Sequence, residues 1–246
     1  MSRKMINKEV YRRDPDATQK QPQHSGKAKI ILALDVDSFS EAKHFVNKLY
    51  PRIKIFKVGP QLFTLCGPKA AEFINKKGAG VFLDLKFFDI PNTVACAVRS
   101  AVRLKVKMLT LHISGGREML KAAVDSAKKE SCRLKIKRPL MIGVTVLTSK
   151  ETKPGEVLRL ARMGLDCGLD GAVCSAQEAG LLRKNLGNKF IIVTPGIRSK
   201  TGDVHDQKRI AAAGAAIKAG SNFLVVGRPI LEAKDPLLAL NDILRD

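Results

Sequence analysis

From Lys29 onward, short apolar runs alternate along the chain with longer stretches whose apolar residues recur every three or four positions. The first pattern is that of a strand covered on both faces, the second that of an amphipathic helix. Their regular alternation predicts a parallel sheet built from β-α units. Eight strands are expected, at Ile30–Asp35, Ile53–Val58, Val81–Lys86, Met108–His112, Met141–Val146, Gly171–Cys174, Phe190–Thr194 and Phe223–Val226. Helical stretches follow them, among them Ser40–Leu49, Pro91–Leu104, Gly116–Lys129, Val157–Cys167 and Ala176–Asn185, an alanine-rich one at Ile210–Ala219 and a closing one at Pro236–Leu244. Eight such units predict a single-domain α/β fold of the (β/α)8 TIM-barrel type, with functional residues at the C-terminal ends of the strands. An open doubly wound sheet is the main competitor. Residues 1–28 lack apolar periodicity and read as a basic, disordered tail, which leaves 29–246 as the barrel domain.

The chain has 246 residues, of which 45% are hydrophobic, enough for a sizeable core. No apolar run approaches the roughly 20 residues that span a bilayer. Met1-Ser2-Arg3-Lys4 leads into polar residues, so neither a signal peptide nor a membrane segment is expected and the protein reads as cytoplasmic. The five cysteines, at 66, 96, 132, 167 and 174, are odd in number and never form a C-x-x-C pair, which argues for reduced structural thiols and against zinc. Lysine and arginine number 44 against 23 acidic residues, a net charge of +21. These basic residues are scattered without a long block, tryptophan is absent and tyrosine occurs twice. Single-strand nucleic-acid sites need aromatic platforms, so the charge reads as solvated lysines with a modest attraction for phosphate, and a nucleic-acid partner is not expected.

Strands covered on both faces should be apolar throughout, yet several here end in charge. The first ends at Asp35, the second at Lys57, the third runs Asp84-Leu85-Lys86 on to Asp89, and the fourth ends at His112. Residues two apart in a strand share a face, so Asp84 and Lys86 point together into the barrel mouth while Leu83 and Leu85 face the helices. One charge at a strand end is ordinarily just solvated. Five converging on one end of three strands require mutual pairing, which marks a candidate site. An ammonium among carboxylates is favoured in its charged form, a poor Schiff-base nucleophile but well suited to stabilising a carbanion and protonating it.

A second cluster follows strands seven and eight, at Thr194-Pro195-Gly196-Ile197-Arg198 and Val226-Gly227-Arg228-Pro229. Barrel phosphate sites are built at these loops. Gly227 admits close backbone approach at a helix start, Pro229 suits the helix's first position, and Arg228 offers a planar fork for phosphate oxygens. The segment Gly202-Asp203-Val204-His205-Asp206 reads as a polar loop, and no spacing in the chain suggests a tightly held metal.

The run from Asp84 to Thr93 resembles the D-x-K-x-x-D-I-P-N-T signature of the orotidine 5'-monophosphate decarboxylases, bacterial type. The resemblance extends over nearly the whole chain after residue 28, through Leu32–Asp35, Phe56–Gly59, His112–Gly116, Thr145–Ser149, Cys167–Glu178, Thr194–Arg198, Asp206–Arg209 and Val226–Pro229, in the family's order. It implies a barrel enzyme that converts orotidine 5'-monophosphate to UMP and carbon dioxide, the last step of pyrimidine nucleotide synthesis, with no metal or other cofactor. It further implies Lys86 as proton donor to carbon 6, Asp84 beside the departing carboxylate, and Asp35 and Lys57 as ribose contacts completing the charge array. Asp89 and Thr93 match positions contributed across a homodimer interface. Thr148 matches the residue facing the pyrimidine, and Arg198, Gln207, Gly227 and Arg228 match phosphate-loop contacts, with Gln207 bridging toward the base. His112 is expected to support the base side. The segment from Thr148 to Cys167 is shorter than in many bacterial members, and the tail matches nothing in the family.

Two rivals remain. Sugar-phosphate decarboxylases and aldolases of the same barrel superfamily share the D-x-K-x-x-D core but resemble one another in using a metal and an acid where this chain has Lys57. A basic RNA-binding barrel draws on the +21 charge, against which stand the scarce aromatics and the array of charged strand ends.

Overall fold

The computed structural model describes residues 28–147, 152–198 and 211–245. Thr148, Gln207 and the 1–28 tail (except Ala28) lie outside the described residues. In chain order the elements are β1 Lys29–Ala33, α1 Phe39–Leu49, β2 Ile55–Val58, α2 Pro60–Cys66, α3 Lys69–Lys76, β3 Gly80–Phe87, α4 Pro91–Arg103, β4 Met108–His112, α5 Gly116–Leu134, β5 Leu140–Val144 and α6 Pro154–Asp166. They continue with β6 Gly171–Val173, α7 Ala176–Leu186, β7 Ile191–Thr194, β8 Ile197–Arg198, β9 Ala211–Ala212, α8 Ala213–Lys218, β10 Phe223–Val226, α9 Arg228–Leu231 and α10 Pro236–Arg245. Eight strands close into a parallel barrel in the order β1-β10-β7-β6-β5-β4-β3-β2, while β8 and β9 pair separately. The barrel thus replaces the open-sheet alternative.

Alternation along each strand divides the core in two. Ile31, Ala33, Ile55, Phe82, Met108, Ile142, Val193 and Val225 point inward and fill the barrel. Leu32, Phe56, Val58, Leu83, Leu109, Leu111 and Val226 point outward onto the helices. Removing a fully buried ring such as Phe82 leaves a cavity worth about 3–5 kcal/mol. Local signals set the helix starts: Ser38 Oγ accepts from Glu41 N at 3.1 Å ahead of α1. Ser175 and Glu178 close a capping box on α7.

Two expectations shift. The alanine-rich stretch was expected to be helical from Ile210, but Ala211–Ala212 form β9 and α8 starts at Ala213. Their backbone groups are spent on pairing with Ile197–Arg198, which overrides alanine's high helix propensity. Helix α5 also runs on to Leu134, past the expected end at Lys129, because its inner face keeps supplying buried residues, Ala127, Glu130 and Ser131. Among the described residues no helix is long and apolar enough to cross a membrane.

Candidate active site

The C-terminal mouth of the barrel opens into a cavity of about 550 Å³. Asp35, just beyond β1, Lys57 of β2, and Asp84 and Lys86 of β3 form one wall, and Arg198 of β8 with Gly227 and Arg228 form another. Val144, Val146, Leu147, Val173, Val193 and Pro195 supply the apolar lining.

The charges alternate in a chain. Lys57 Nζ donates to Asp35 Oδ1 at 2.9 Å and stands 3.7 Å from Asp84 Oδ2, and Lys86 Nζ donates to the same Asp84 oxygen at 2.9 Å. Lys57 and Asp84 are 9% and 8% exposed, so each charge depends on its neighbours for stabilisation. Gly59 leaves room for this pairing: a Cβ there would lie 3.0 Å from Lys57 Nζ and 3.2 Å from Asp35 Oδ1, and both side-chain ends would have to give by a few tenths of an ångström.

Lys86 reaches the mouth by a route that alternation alone does not give. Its backbone is left-handed, at φ 50°, and the β3–β4 register shifts between Leu83 and Phe87. The bulge turns Lys86 N–H from the ladder to Thr110 Oγ1 at 2.9 Å. The Thr110 hydroxyl in turn donates to Asp84 Oδ1 at 2.8 Å. One fully buried hydroxyl therefore fixes both the carboxylate and the lysine backbone. Thr110 was missing from the expected site residues; its only trace in the sequence is a polar residue inside the apolar run Met108–Leu111. Gln61 was missed too: it lines the cavity from α2 and donates to Asp37 Oδ1 at 2.7 Å.

Other expected residues fall elsewhere. Asp89 and Thr93 are exposed and do not line the cavity, and Asp89 Oδ1 accepts from Ile90 N at 2.6 Å. Four charges, rather than the expected five, converge within one chain. His112 packs edge-on against Phe88, ring centres 5.8 Å apart, and does not line the cavity. Arg198, by contrast, is 8% exposed and lines the cavity. Pro229 takes the second position of α9, a helix of only four residues, so local groups rather than a long helix dipole act at that end. Among the described residues no three His, Cys, Asp or Glu side chains gather as a metal would require. The buried Cys174 thiol is pushed up by burial and then by Glu178, as suits an inert core residue.

Comparison with known proteins agrees with this geometry. The model of the orotidine 5'-phosphate decarboxylase / HUMPS family matches residues 28–243. Orotidine 5'-phosphate decarboxylase of Hydrogenovibrio crunogenus is 48% identical over 226 residues, which cover 87% of this chain and 94% of that one. The enzyme of the same name from Coxiella burnetii RSA 493 is 46% identical over 229 residues, covering 89% and 96%. The crystal structure of orotidine 5'-phosphate decarboxylase from Lactobacillus acidophilus superposes with a TM-score of 0.77 at 33% identity, over 89% of this chain and 98% of that one. On this match of sequence and fold, the chain belongs to the orotidine 5'-phosphate decarboxylase / HUMPS family.

Proposed function

We propose that the protein decarboxylates orotidine 5'-monophosphate to UMP and carbon dioxide in the cytosol, as a homodimer and without a metal or organic cofactor. The observation that carries this reading is the chain Asp35–Lys57–Asp84–Lys86 facing two arginines across one cavity. Arg198 and Arg228 take the phosphate dianion by charge-assisted hydrogen bonds. Gly227 gives it backbone access: a Cβ there would meet only Ala33 at 3.5 Å and Asp35 at 3.9 Å, ordinary contacts, so the protein's own packing does not demand a glycine. The same closeness supports Asp35 as the ribose contact, since the 5'-phosphate is attached next to the sugar. Thr148 and Gln207 complete the pyrimidine and phosphate contacts in this proposal.

The pyrimidine then lies over the apolar lining with its carboxylate beside Asp84. The bond from carbon 6 to the carboxylate breaks, carbon dioxide leaves, and the electron pair stays on carbon 6. Lys86 stabilises that carbanion and gives it a proton, and the resulting amine is reprotonated from solvent. Phosphate binding, remote from the reacting carbon, supplies free energy that organises the charges. Lys57 speaks against the magnesium-dependent sugar-phosphate reading, because its ammonium already stands between Asp35 and Asp84.

Loss of orotidine 5'-monophosphate absorbance, followed with and without chelator, tests the proposal. Turnover resistant to chelator supports it. No turnover by folded protein, with magnesium-dependent decarboxylation of a keto sugar phosphate instead, sinks it.

Thr110→Val removes the hydroxyl shared by Asp84 and Lys86 at nearly constant volume. Hydrogen bonds to charged groups contribute about 1.5–3 kcal/mol, so kcat should fall by about ten- to a hundredfold with KM little changed. Thr110→Ser should recover most of the loss. Steady-state kinetics of the two variants check this; a changed KM at constant kcat would refute the clamp.

A further inference from the structure

We propose that the N-terminal mouth of the barrel, opposite the cavity, is a docking surface for the phosphate backbone of double-stranded nucleic acid. The basic residues look scattered in sequence but gather in space. The helix ends and loops leading into β2, β3, β4, β5, β7 and β10 carry Lys54, Lys77, Lys107, Lys137, Lys189 and Lys218, all exposed, and Lys29 opens β1. Of the acids at this end, Asp170, Asp166 and Glu130 are engaged, while Asp242 near the end of α10 is exposed. Arg138 holds Asp170 at 2.7 Å, Arg117 holds Asp166 at 3.4 Å, and Arg103 and Arg133 both hold Glu130.

Two features separate this surface from ordinary solvated charge. Lysines at helix C-termini are favoured by the helix dipole, but Lys54, Lys107, Lys137 and Lys189 lie past the helix ends, against the strands. Burial of its stem, and then the nearby ammonium groups of Lys29, Lys137 and Lys54, hold Lys107 below the usual lysine range, so the cluster opposes itself. Second, Lys105 and Lys135 end α4 and α5 in left-handed conformation, at φ 55° and 53°. Glycine or asparagine is the ordinary choice at such positions. The chain thus places lysine here against both local backbone preference and charge repulsion, which is the signature of a functional surface.

The partner follows from what accompanies the charge. Lys29, Lys54, Lys107 and Lys137 stand around half of the closed ring, from β1 through β2, β3 and β4 to β5, so their ammonium groups share one face and can meet more than one backbone phosphate. The apolar residues of the same loops, Ile53, Val106, Leu169 and Phe190, are buried. Among the described residues no aromatic side chain at this end is fully exposed for stacking on unpaired bases, and the exposed large apolar side chains there are Leu165 and Leu244, near the ends of α6 and α10. A duplex backbone read without sequence preference fits these features. The scarcity of aromatics therefore argues against single-strand recognition only.

The test uses the full chain and a fluorescent mixed-sequence DNA duplex, with binding followed by anisotropy from about 50 to 200 mM salt. Wild type should bind with steep salt dependence. The variant K54Q/K107Q/K137Q should bind at least tenfold more weakly, with a log–log salt slope smaller by about 2–3. It should keep wild-type turnover and circular dichroism. K69Q/K121Q/K128Q, which removes the same charge from exposed positions on α3 and α5, should bind as wild type does. The single variants K54Q and K137Q, each expected to lose about twofold, carry the test if the triple variant misfolds. Equal losses in both triple variants, no duplex binding by wild type, or binding to phosphatidylserine vesicles that duplex does not compete would each overturn the assignment.

Discussion

Lys86→Ala is expected to fold and to show no measurable decarboxylation. The side chain is about one-third exposed and donates to Asp84 at 2.9 Å, so its loss leaves the barrel intact. What it removes from the proposed reaction is twofold. A positioned general acid contributes about 10²–10⁴ in rate, and one preorganised charge at a developing anion about 10²–10³. Together the loss should reach at least about 10⁴, below detection in an absorbance assay. Asp84 would keep the Thr110 hydroxyl and Lys57, so its carboxylate remains in place to repel the substrate's own. Lys86→Arg sharpens the result. A guanidinium keeps the positive charge but does not release a proton, so this variant should remain at least about a thousandfold down. Unchanged thermal stability with activity above a hundredth of wild type in Lys86→Ala would remove Lys86 from the centre of the mechanism.

The strands were legible because inward and outward positions on eight short runs obey one period, and a closed parallel sheet is the arrangement that satisfies them together. The charged ends Asp35, Lys57, Asp84 and Lys86 were legible for the complementary reason, since they break that apolar pattern at equivalent places. Thr110 was not, because its role depends on a bulge that reaches one strand over, and no single-strand period encodes a neighbour's register. Ala211–Ala212 were misread for a similar reason: pairing with residues just after β7 decides their conformation. The placement of the basic residues was legible only in part. Lys29, Lys54, Lys77, Lys107, Lys137, Lys189 and Lys218 are far apart along the chain, but a barrel returns each β-α unit to the same end, so they share one mouth, with Asp170 standing before β6. Dispersion in sequence and concentration in space are the same fact in this fold.

Mixing two inactive variants is expected to restore activity. Asp89, on the segment that joins β3 to α4, and Thr93, in the first turn of α4, stand outside the cavity of their own chain. Phe88 and Ile90 on either side of Asp89 are 61% and 67% exposed. Large apolar side chains presented beside an active-site mouth suit a covered surface, and in the proposed homodimer a second copy covering it by two-fold symmetry would bring each chain's Asp89 toward the other's Lys86. Asp89→Ala should therefore lower kcat by about 10²–10³, as loss of one charged group at a reacting centre does. The decisive experiment co-expresses Lys86→Ala and Asp89→Ala chains under different tags. Random pairing makes half the dimers mixed, and in each mixed dimer one site collects both lesions while the other has neither. The mixture should then recover about a quarter of wild-type activity, and mixed dimers isolated through both tags about half. If Asp89 served the site of its own chain, every site in the mixture would carry one lesion, and activity would stay at the level of the two variants alone.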